Sequence, residues 1–102
     1  MTKERKMTYQ TEFKNFDVTT MPQIPEGFED ISWCADVCPS FRNEEHNLTL
    51  WIDYADESLR EFENEKRFCL TLEDYESDNE PISYCSDDFD DILRQIAVYI
   101  NP

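Results

Sequence analysis

The clearest hydrophobic pattern in the chain is a period-two alternation in two segments near its middle. In "NLTLWIDY" the apolar residues Leu48, Leu50 and Ile52 alternate with Thr49, Trp51 and Asp53. Successive side chains of a β-strand point to opposite faces of a sheet. The segment therefore predicts a strand with one buried face, and "RFCLTLED" predicts a second strand for the same reason. The shorter segments "FEDISW" and "PISYC" predict two more, and Pro81 is typical of an edge strand or a strand start.

A different pattern closes the chain, with apolar residues spaced three and four apart. The positions are Phe89, Ile92, Leu93, Ile96, Ala97 and Ile100. This spacing predicts an amphipathic helix with one apolar stripe. Ser86 is the predicted N-cap, because its hydroxyl can accept a hydrogen bond from the first turn. The aspartates that follow it are expected in that turn, where the helix dipole favours negative charge.

These elements predict an α+β fold of two layers, an antiparallel sheet of three to five strands with the C-terminal helix packed on one face. The length of 102 residues suits one domain with one core. We expect residues 15–102 to form that domain. Residues 1–14 carry four of the nine lysines and arginines and are expected to form a flexible or loosely attached basic arm, in which "MTYQTEF" alternates as a strand would. The segment "CPSFRNEEHN" is predicted to be a loop. The segment "ADESLREFENEK" fits either one short helix with Leu59 and Phe62 buried or a turn followed by a brief strand around Phe62, and a turn-rich connection is favoured.

The charge balance is strongly acidic, with 24 acids against nine bases and a formal net charge of −15. Nucleic acid phosphates and anionic membranes repel such a protein, so neither is an expected partner. Basic protein surfaces attract it. The acidic run from Glu73 to Leu93 is the most concentrated part, with nine carboxylates and not one lysine or arginine.

The sequence therefore predicts a partner-binding surface made of carboxylates and one aromatic side chain. Trp51 is the aromatic member, because it lies on the strand face opposite the leucines, where partial exposure and packing under the N-terminal arm or "FEDISW" are equally favoured. A two-layer domain is expected to gather several of the carboxylates along one rim. They are Asp53, Glu73, Asp74, Glu76, Asp78, Glu80, Asp87, Asp88, Asp90 and Asp91.

No catalytic signature is present, and we expect no enzymatic activity. His46 is the only histidine and lies in a polar segment; pairing with Cys34 or Cys38 as a thiol nucleophile is the less favoured alternative. Gly27 is the only glycine, which excludes a glycine-rich phosphate loop. We therefore expect no cofactor.

We also expect no metal. The pair Cys34 and Cys38 lacks the two-residue spacing of a zinc knuckle, so a zinc site built from all four cysteines is the minor alternative. The segment "DYESDNE" has alternating acids like a calcium loop but lacks its central glycine. No apolar segment follows the basic N-terminus or approaches the length of a membrane span. The expected location is the cytoplasm of a bacterial cell, where cysteines stay reduced.

Small size, high negative charge, few glycines and the acidic segments "DYESDNE" and "SDDFDD" give the chain a resemblance to a known class. It resembles the DNA-mimic inhibitors of phages and mobile elements, such as anti-CRISPR and anti-restriction proteins. The resemblance implies a non-enzymatic protein that binds a basic surface of a nuclease or CRISPR effector subunit. The alternatives are an immunity protein that neutralises a basic toxin and an acidic accessory module. Either a monomer or a homodimer, formed through an edge strand such as "PISYC", fits the sequence.

Overall fold

The computed structural model describes residues 8–61, 66–73 and 80–101. Five antiparallel strands form one sheet in the order β1-β2-β3-β4-β5, so each strand pairs with its neighbour in the chain. This confirms the predicted α+β fold with an antiparallel sheet and a C-terminal helix. The elements are α1 (Tyr9–Glu12), β1 (Glu29–Asp30), β2 (Ser40–Asn43), β3 (Leu48–Ile52), β4 (Phe68–Leu72), β5 (Ile82–Ser86) and α2 (Phe89–Ile100), with 3-10 turns at Val18–Thr20 and Glu57–Leu59.

The core lies between one face of the sheet and α2. Leu48, Leu50 and Ile52 of β3 are fully buried, and so is Leu70 of β4, which confirms the predicted alternation. Ile92 of α2 is fully buried in the same cluster. Burying each such side chain contributes roughly 1.5–3 kcal/mol. The opposite face of the sheet, called here the open face, carries Trp51 and has no helix packed on it within the described part of the chain.

The helix α2 starts two residues later than the predicted N-cap implies. Asp88 is the N-cap, and its Oδ1 accepts a hydrogen bond from the Asp90 N–H at 2.9 Å. Ser86 still belongs to β5, and its Oγ accepts from the Asp88 N–H at 3.0 Å. The prediction of Ser86 was wrong because pairing with β4 extends β5 through that residue. Asp87 and Asp88 therefore precede the first turn.

The segment "MTYQTEF" does not form the expected strand. Tyr9 to Glu12 form a helical turn, held to the sheet by a hydrogen bond of 2.8 Å from the Tyr9 N–H to Asp30 Oδ2. Phe13 and Phe16 are buried in the core. The part of the predicted arm from Thr8 onward thus packs on the sheet. The boundary between arm and domain stays a prediction, since residues 1–7 lie outside the described residues.

The prediction of a loop over "CPSFRNEEHN" was wrong for its middle. Ser40 to Asn43 form β2, and all four residues are buried because β2 lies between β1 and β3. Only residues 44–47 form the turn, which ends at Asn47 with a φ of 56°. The Asn43 side chain accepts a hydrogen bond from the His46 N–H at 3.1 Å and so stabilises the turn.

Candidate partner-binding surface

The meander topology sorts the acidic residues to the two ends of the sheet. The start of β1, the β2–β3 turn, the end of β4 and the start of β5 all meet at one end. We call it the glutamate end, because its described acids are Glu26, Glu29, Glu44, Glu45, Glu73 and Glu80. The other end, called the aspartate end, carries Asp53, Asp56, Asp87 and Asp88.

Most glutamates of the glutamate end are exposed to solvent. The side chains of Glu44 and Glu45 are 83% and 87% exposed, and Glu26, Glu29 and Glu80 are exposed as well. Among the described residues that define this end, the single lysine or arginine is Arg42. The end therefore has a large excess of negative charge.

Arg42 is nearly buried, and its guanidinium is turned to the sheet. Nη1 donates to Thr49 Oγ1 at 2.9 Å and lies 3.4 Å from Glu73 Oε2. Nη2 donates to Asn47 Oδ1 at 3.4 Å, and Nε lies 3.5 Å from Glu44 Oε1. This one cation holds the β2–β3 turn against the end of β4. It offsets part of the charge of Glu73, whose side chain is 30% exposed.

The aspartate end is more balanced, because three bases lie beside its carboxylates. Asp87 Oδ1 accepts from the backbone N–H of Arg67 at 3.0 Å, and Oδ2 lies 3.4 Å from Lys66 Nζ. The Arg67 hydrogen bond, followed by the contact with Lys66, lowers the pKa of Asp87 below its ordinary value. Arg60 lies close enough to lower it further.

Asp53 behaves in the opposite way at the same end. Its side chain is nearly buried beside Arg67, and burial raises its pKa above the ordinary value of an aspartate. A hydrogen bond of 2.8 Å from the Tyr54 N–H to Oδ1 opposes that rise but does not cancel it. Asp53 is therefore nearly buried at the sheet end, and its role in binding a partner stays a prediction.

The predicted surface residues are thus divided between two ends and do not share one rim. Glu73 and Glu80 lie at the glutamate end, whereas Asp87 and Asp88 lie beyond the far end of β5. A strand of five residues separates them by roughly 17 Å. Asp90 is exposed, and Asp91 accepts hydrogen bonds from Ser86 and Arg94. Asp74, Glu76 and Asp78 lie outside the described residues.

Four glutamates of the glutamate end were missed by the sequence analysis: Glu26, Glu29, Glu44 and Glu45. The sequence feature that could have identified them is their position near two turns, one at Gly27 with a φ of 91° and one that ends at Asn47 with a φ of 56°. Only the pairing register brings those turns next to Glu73. A Cβ on Gly27 would lie 3.2 Å from Asn43 Nδ2, so this turn touches the end of β2.

Trp51 is half-buried on the open face, in a row of paired residues that runs Ser40, Trp51, Cys69, Cys85 across four strands. A groove of about 230 Å³ lies there, lined by Val37, Trp51 and Cys69 and bordered by Arg67. Arg67 donates through Nη2 to the Thr20 carbonyl at 2.8 Å and through Nε to the Asp53 carbonyl at 3.1 Å. Apolar side chains therefore form much of the groove, and the Arg67 guanidinium at its border is engaged by two backbone carbonyls.

The cysteines do not match the expectation of four reduced thiols. Cys69 and Cys85 form a disulfide between β4 and β5, with Cα atoms 4.1 Å apart. Their direct pairing in the register brings the two sulfurs together. Cys34 and Cys38 are thiols, exposed and buried respectively. A site with four cysteine ligands is therefore not formed, and no three His, Cys, Asp or Glu residues of the described chain are grouped to hold a metal ion.

The less favoured alternative of a pair between His46 and Cys34 or Cys38 is not formed either. His46 lies in the turn after β2 at the glutamate end, while Cys34 and Cys38 lie in the connection between β1 and β2 at the other end of the sheet. His46 Nε2 lies 4.0 Å from Glu45. Comparison with known protein families, curated proteins and solved structures finds no match. Among the described residues, the helices are all too short or too polar to cross a bilayer.

Proposed function

We propose that the protein is a non-enzymatic acidic inhibitor that binds a basic, nucleic-acid-binding protein through the glutamate end and takes the place of DNA there. The observation that supports this proposal is the group of exposed glutamates beside a single, inward-turned arginine among the described residues of that end. The partner would be a nuclease or CRISPR effector subunit in the bacterial cytoplasm, as for anti-CRISPR and anti-restriction proteins of phages.

The dimensions of the glutamate end fit this role. Neighbouring strands lie about 4.8 Å apart, so five strands extend over roughly 20 Å. B-DNA carries one charge per roughly 3.4 Å along each strand. Six glutamates over this length would give roughly one charge per 3.5 Å, about the density of one DNA strand and half that of the duplex, over about half a helical turn. A charge of this kind speeds association with a basic groove and weakens as salt rises.

The test is competition with DNA. The protein captures its partner from a bacterial lysate, and the purified partner is then titrated with labelled duplex DNA in the presence of the inhibitor. We expect displacement of the DNA, with an apparent affinity that falls steeply between about 50 and 200 mM salt. A captured partner that does not bind DNA would exclude mimicry. A secreted or toxin-linked nuclease as partner would favour an immunity protein instead.

Two variants with equal change of charge locate the surface. The first replaces Glu44, Glu45 and Glu80 by glutamine, and the second replaces Glu57, Glu61 and Asp90 by the corresponding amides; all six residues are exposed. We expect the first variant to inhibit at least about tenfold less and to show a weaker salt dependence, while the second stays within about threefold. Equal losses in both would contradict the assignment to the glutamate end.

The disulfide adds one condition to the assay. Disulfides are rare in a reducing cytoplasm, so both forms of the protein are to be measured, with and without a thiol reductant. Cys69 and Cys85 lie within β4 and β5, away from the glutamates of the strand ends. We expect the glutamate end to compete with DNA in both forms.

A further inference from the structure

The strand β5 is the long open edge of the sheet. The strand order places β1 and β5 at the two edges, and β1 has only two residues whereas β5 has five. Every residue from Ile82 to Cys85 is exposed. Proteins commonly protect an edge with a charged side chain, a proline or a bulge within the strand. β5 has none of these between Ile82 and Ser86, and its pairing with β4 is regular.

The hydrogen-bonding direction of β5 follows from its register. The carbonyl of Arg67 accepts a hydrogen bond from the Asp53 N–H at 2.8 Å. In β4, the backbone N–H and C=O groups of odd-numbered residues therefore point to β3, and those of even-numbered residues point to β5. The β5 residues paired with even-numbered positions are Ile82, Tyr84 and Ser86, and these turn their backbone groups toward β4.

Ser83 and Cys85 therefore turn their N–H and C=O groups away from the sheet. The Cα separation of 4.1 Å between Cys69 and Cys85 agrees, because pairs without mutual hydrogen bonds lie closest. Within the described part of the chain, nothing accepts from or donates to these outward groups. They form a template for one more strand.

An apolar strip runs beside this template on the helix face. Ile82 and Tyr84 are 57% and 38% exposed. An added strand would cover Ile82 and Tyr84 with its own apolar side chains.

The charges at the two ends of β5 decide which strand fits. Glu80 lies just before β5, and Asp88 lies just after it; both are exposed. A second copy of this chain in antiparallel pairing would bring Glu80 close to Asp88 of the other copy, and parallel pairing would bring Glu80 close to Glu80. Like charges placed opposite each other destabilise a strand pair. A strand with lysines or arginines has the complementary charge.

We propose that β5 is a docking strand that binds an extended basic segment of a partner protein as a sixth strand. The segment would hydrogen-bond to Ser83 and Cys85, place alternate apolar side chains on Ile82 and Tyr84, and direct its basic side chains to the carboxylates at both ends of β5. Strand addition of this type takes affinity from the backbone and specificity from alternate side chains. The inference rests on the proposed function for the basic character of the partner, but it concerns the edge of β5, which shares only Glu80 with the glutamate end.

The test uses a capped synthetic peptide of about eight residues in which lysine and valine alternate, which is long enough to cover β5. Amide hydrogen exchange is followed by NMR on the full chain. We expect saturating peptide to slow exchange at Ser83 and Cys85 by at least about tenfold, with under about twofold change at Ile82 and Tyr84, whose amides already bond to β4. A peptide with the same residues in two blocks, and one with glutamate for lysine, serve as controls.

Two substitutions at one position separate the backbone contribution from the side chain. Ser83→Pro removes an outward N–H and leaves the bonds to β4 in place, as proline is tolerated on edge strands. Ser83→Ala keeps the N–H. We expect S83P to bind the peptide at least about tenfold more weakly and S83A to bind within about twofold of the wild type. If S83P fails to fold, the exchange measurement on the wild type decides alone.

Three results would overturn the proposal. They are unchanged exchange at Ser83 and Cys85, equal affinity of S83P and S83A, and protection that rises with protein concentration in the absence of peptide, which would assign β5 to a homodimer. The outcome is independent of the DNA competition. If the amides of Ser83 and Cys85 are protected but the Glu44, Glu45 and Glu80 variant still inhibits fully, the docking strand stands and the proposed function is excluded. If the amides are not protected but that variant loses inhibition, the proposed function stands and the docking strand is excluded.

Discussion

Arg42 is the residue that holds the glutamate end together. Its buried guanidinium donates hydrogen bonds to Thr49 and Asn47 and forms an ion pair with Glu73. Replacing it with methionine keeps much of its packing but leaves the Thr49 hydroxyl and the Glu73 carboxylate without this donor. We expect Arg42→Met to lower the free energy of unfolding by about 2 kcal/mol, less than for a fully buried pair because Glu73 is partly exposed. Urea unfolding measures this loss.

Arg94→Met is the matched control for that substitution. Arg94 has a side chain that is 68% exposed and pairs with Asp91 on the surface of α2. An exposed pair of this kind contributes little, so we expect a change below about 0.5 kcal/mol. Similar losses in both variants would mean that the Arg42 contacts stabilise the fold no more than a surface ion pair does.

The opposite pKa shifts of Asp53 and Asp87, which lie at the same end of the sheet, predict opposite effects of pH on the stability of the fold. The raised pKa of Asp53 means that folding disfavours its charged form, so its destabilising contribution develops as the pH rises above about 3.8 and is complete once the pH exceeds the folded pKa. The lowered pKa of Asp87 means that its charged form stabilises the fold above about pH 3.8, and that this contribution disappears as the pH falls through the lower folded pKa.

We therefore expect Asp53→Asn to raise the free energy of unfolding at pH 7 and Asp87→Asn to lower it. Asparagine retains an oxygen that can accept the hydrogen bond of the Tyr54 N–H, so D53N removes mainly the buried charge. The D53N difference should shrink as the pH falls toward 3.8, whereas the D87N difference should shrink only below about pH 3.8, as the pH falls through the lowered pKa of Asp87. Urea unfolding from pH 3 to pH 7 measures them. A loss of stability in D53N at pH 7 would contradict the assigned effect of burial.

At the scale of elements, the disulfide between Cys69 and Cys85 links β4 covalently to β5. It closes a loop with a sequence separation of 16 residues. Closing a loop of this size in the unfolded chain stabilises a protein by about 3 kcal/mol in the chain-entropy model. We expect the double substitution of Cys69 and Cys85 by serine to lower the free energy of unfolding by about that amount, measured in urea. Cys34→Ser, at an exposed thiol, should leave it unchanged.

The same scale explains which elements the sequence analysis predicted. β3, β4 and α2 have apolar residues at regular spacing on one face, and that face is buried. β2 was missed because three of its four buried residues are polar, and Arg42 and Asn43 are satisfied by contacts with distant or turn residues. α1 was missed because the hydrogen bond from Tyr9 to Asp30 and the packing of Phe13 in the core are tertiary effects.

At the scale of the whole molecule, composition gave the amount of negative charge but not its distribution. The acidic run appeared continuous in sequence, yet β5 separates Glu80 from Asp87 and places them at opposite ends of the sheet. Lys66 and Arg67 then lie beside Asp87, whereas Glu44 and Glu45 join Glu73 and Glu80. Such neighbours depend on strand order and register, which the hydrophobic pattern alone does not determine.

This distribution predicts how salt changes stability. With a net charge of −15, repulsion within the folded protein is weakened when salt shortens the screening length from roughly 20 Å at 20 mM to roughly 4 Å at 500 mM. We expect the melting temperature to rise by about 5 °C over that range, which corresponds to about 1 kcal/mol for a domain of this size.

The two variants with equal change of charge then report where the repulsion lies. At 20 mM salt the glutamine variant of Glu44, Glu45 and Glu80 should melt higher than the wild type, because it removes charges from the unbalanced end. The amide variant of Glu57, Glu61 and Asp90 should gain less, because Arg60 is next to Glu61 and three residues from Glu57 in sequence, and because replacing Asp90 removes a charge that the first turn of α2 favours. At 500 mM the two should converge, since screening removes the difference between the ends. The opposite order at low salt would place the repulsion at the aspartate end, and Lys66 and Arg67 would then offset less charge than their contacts with Asp87 imply.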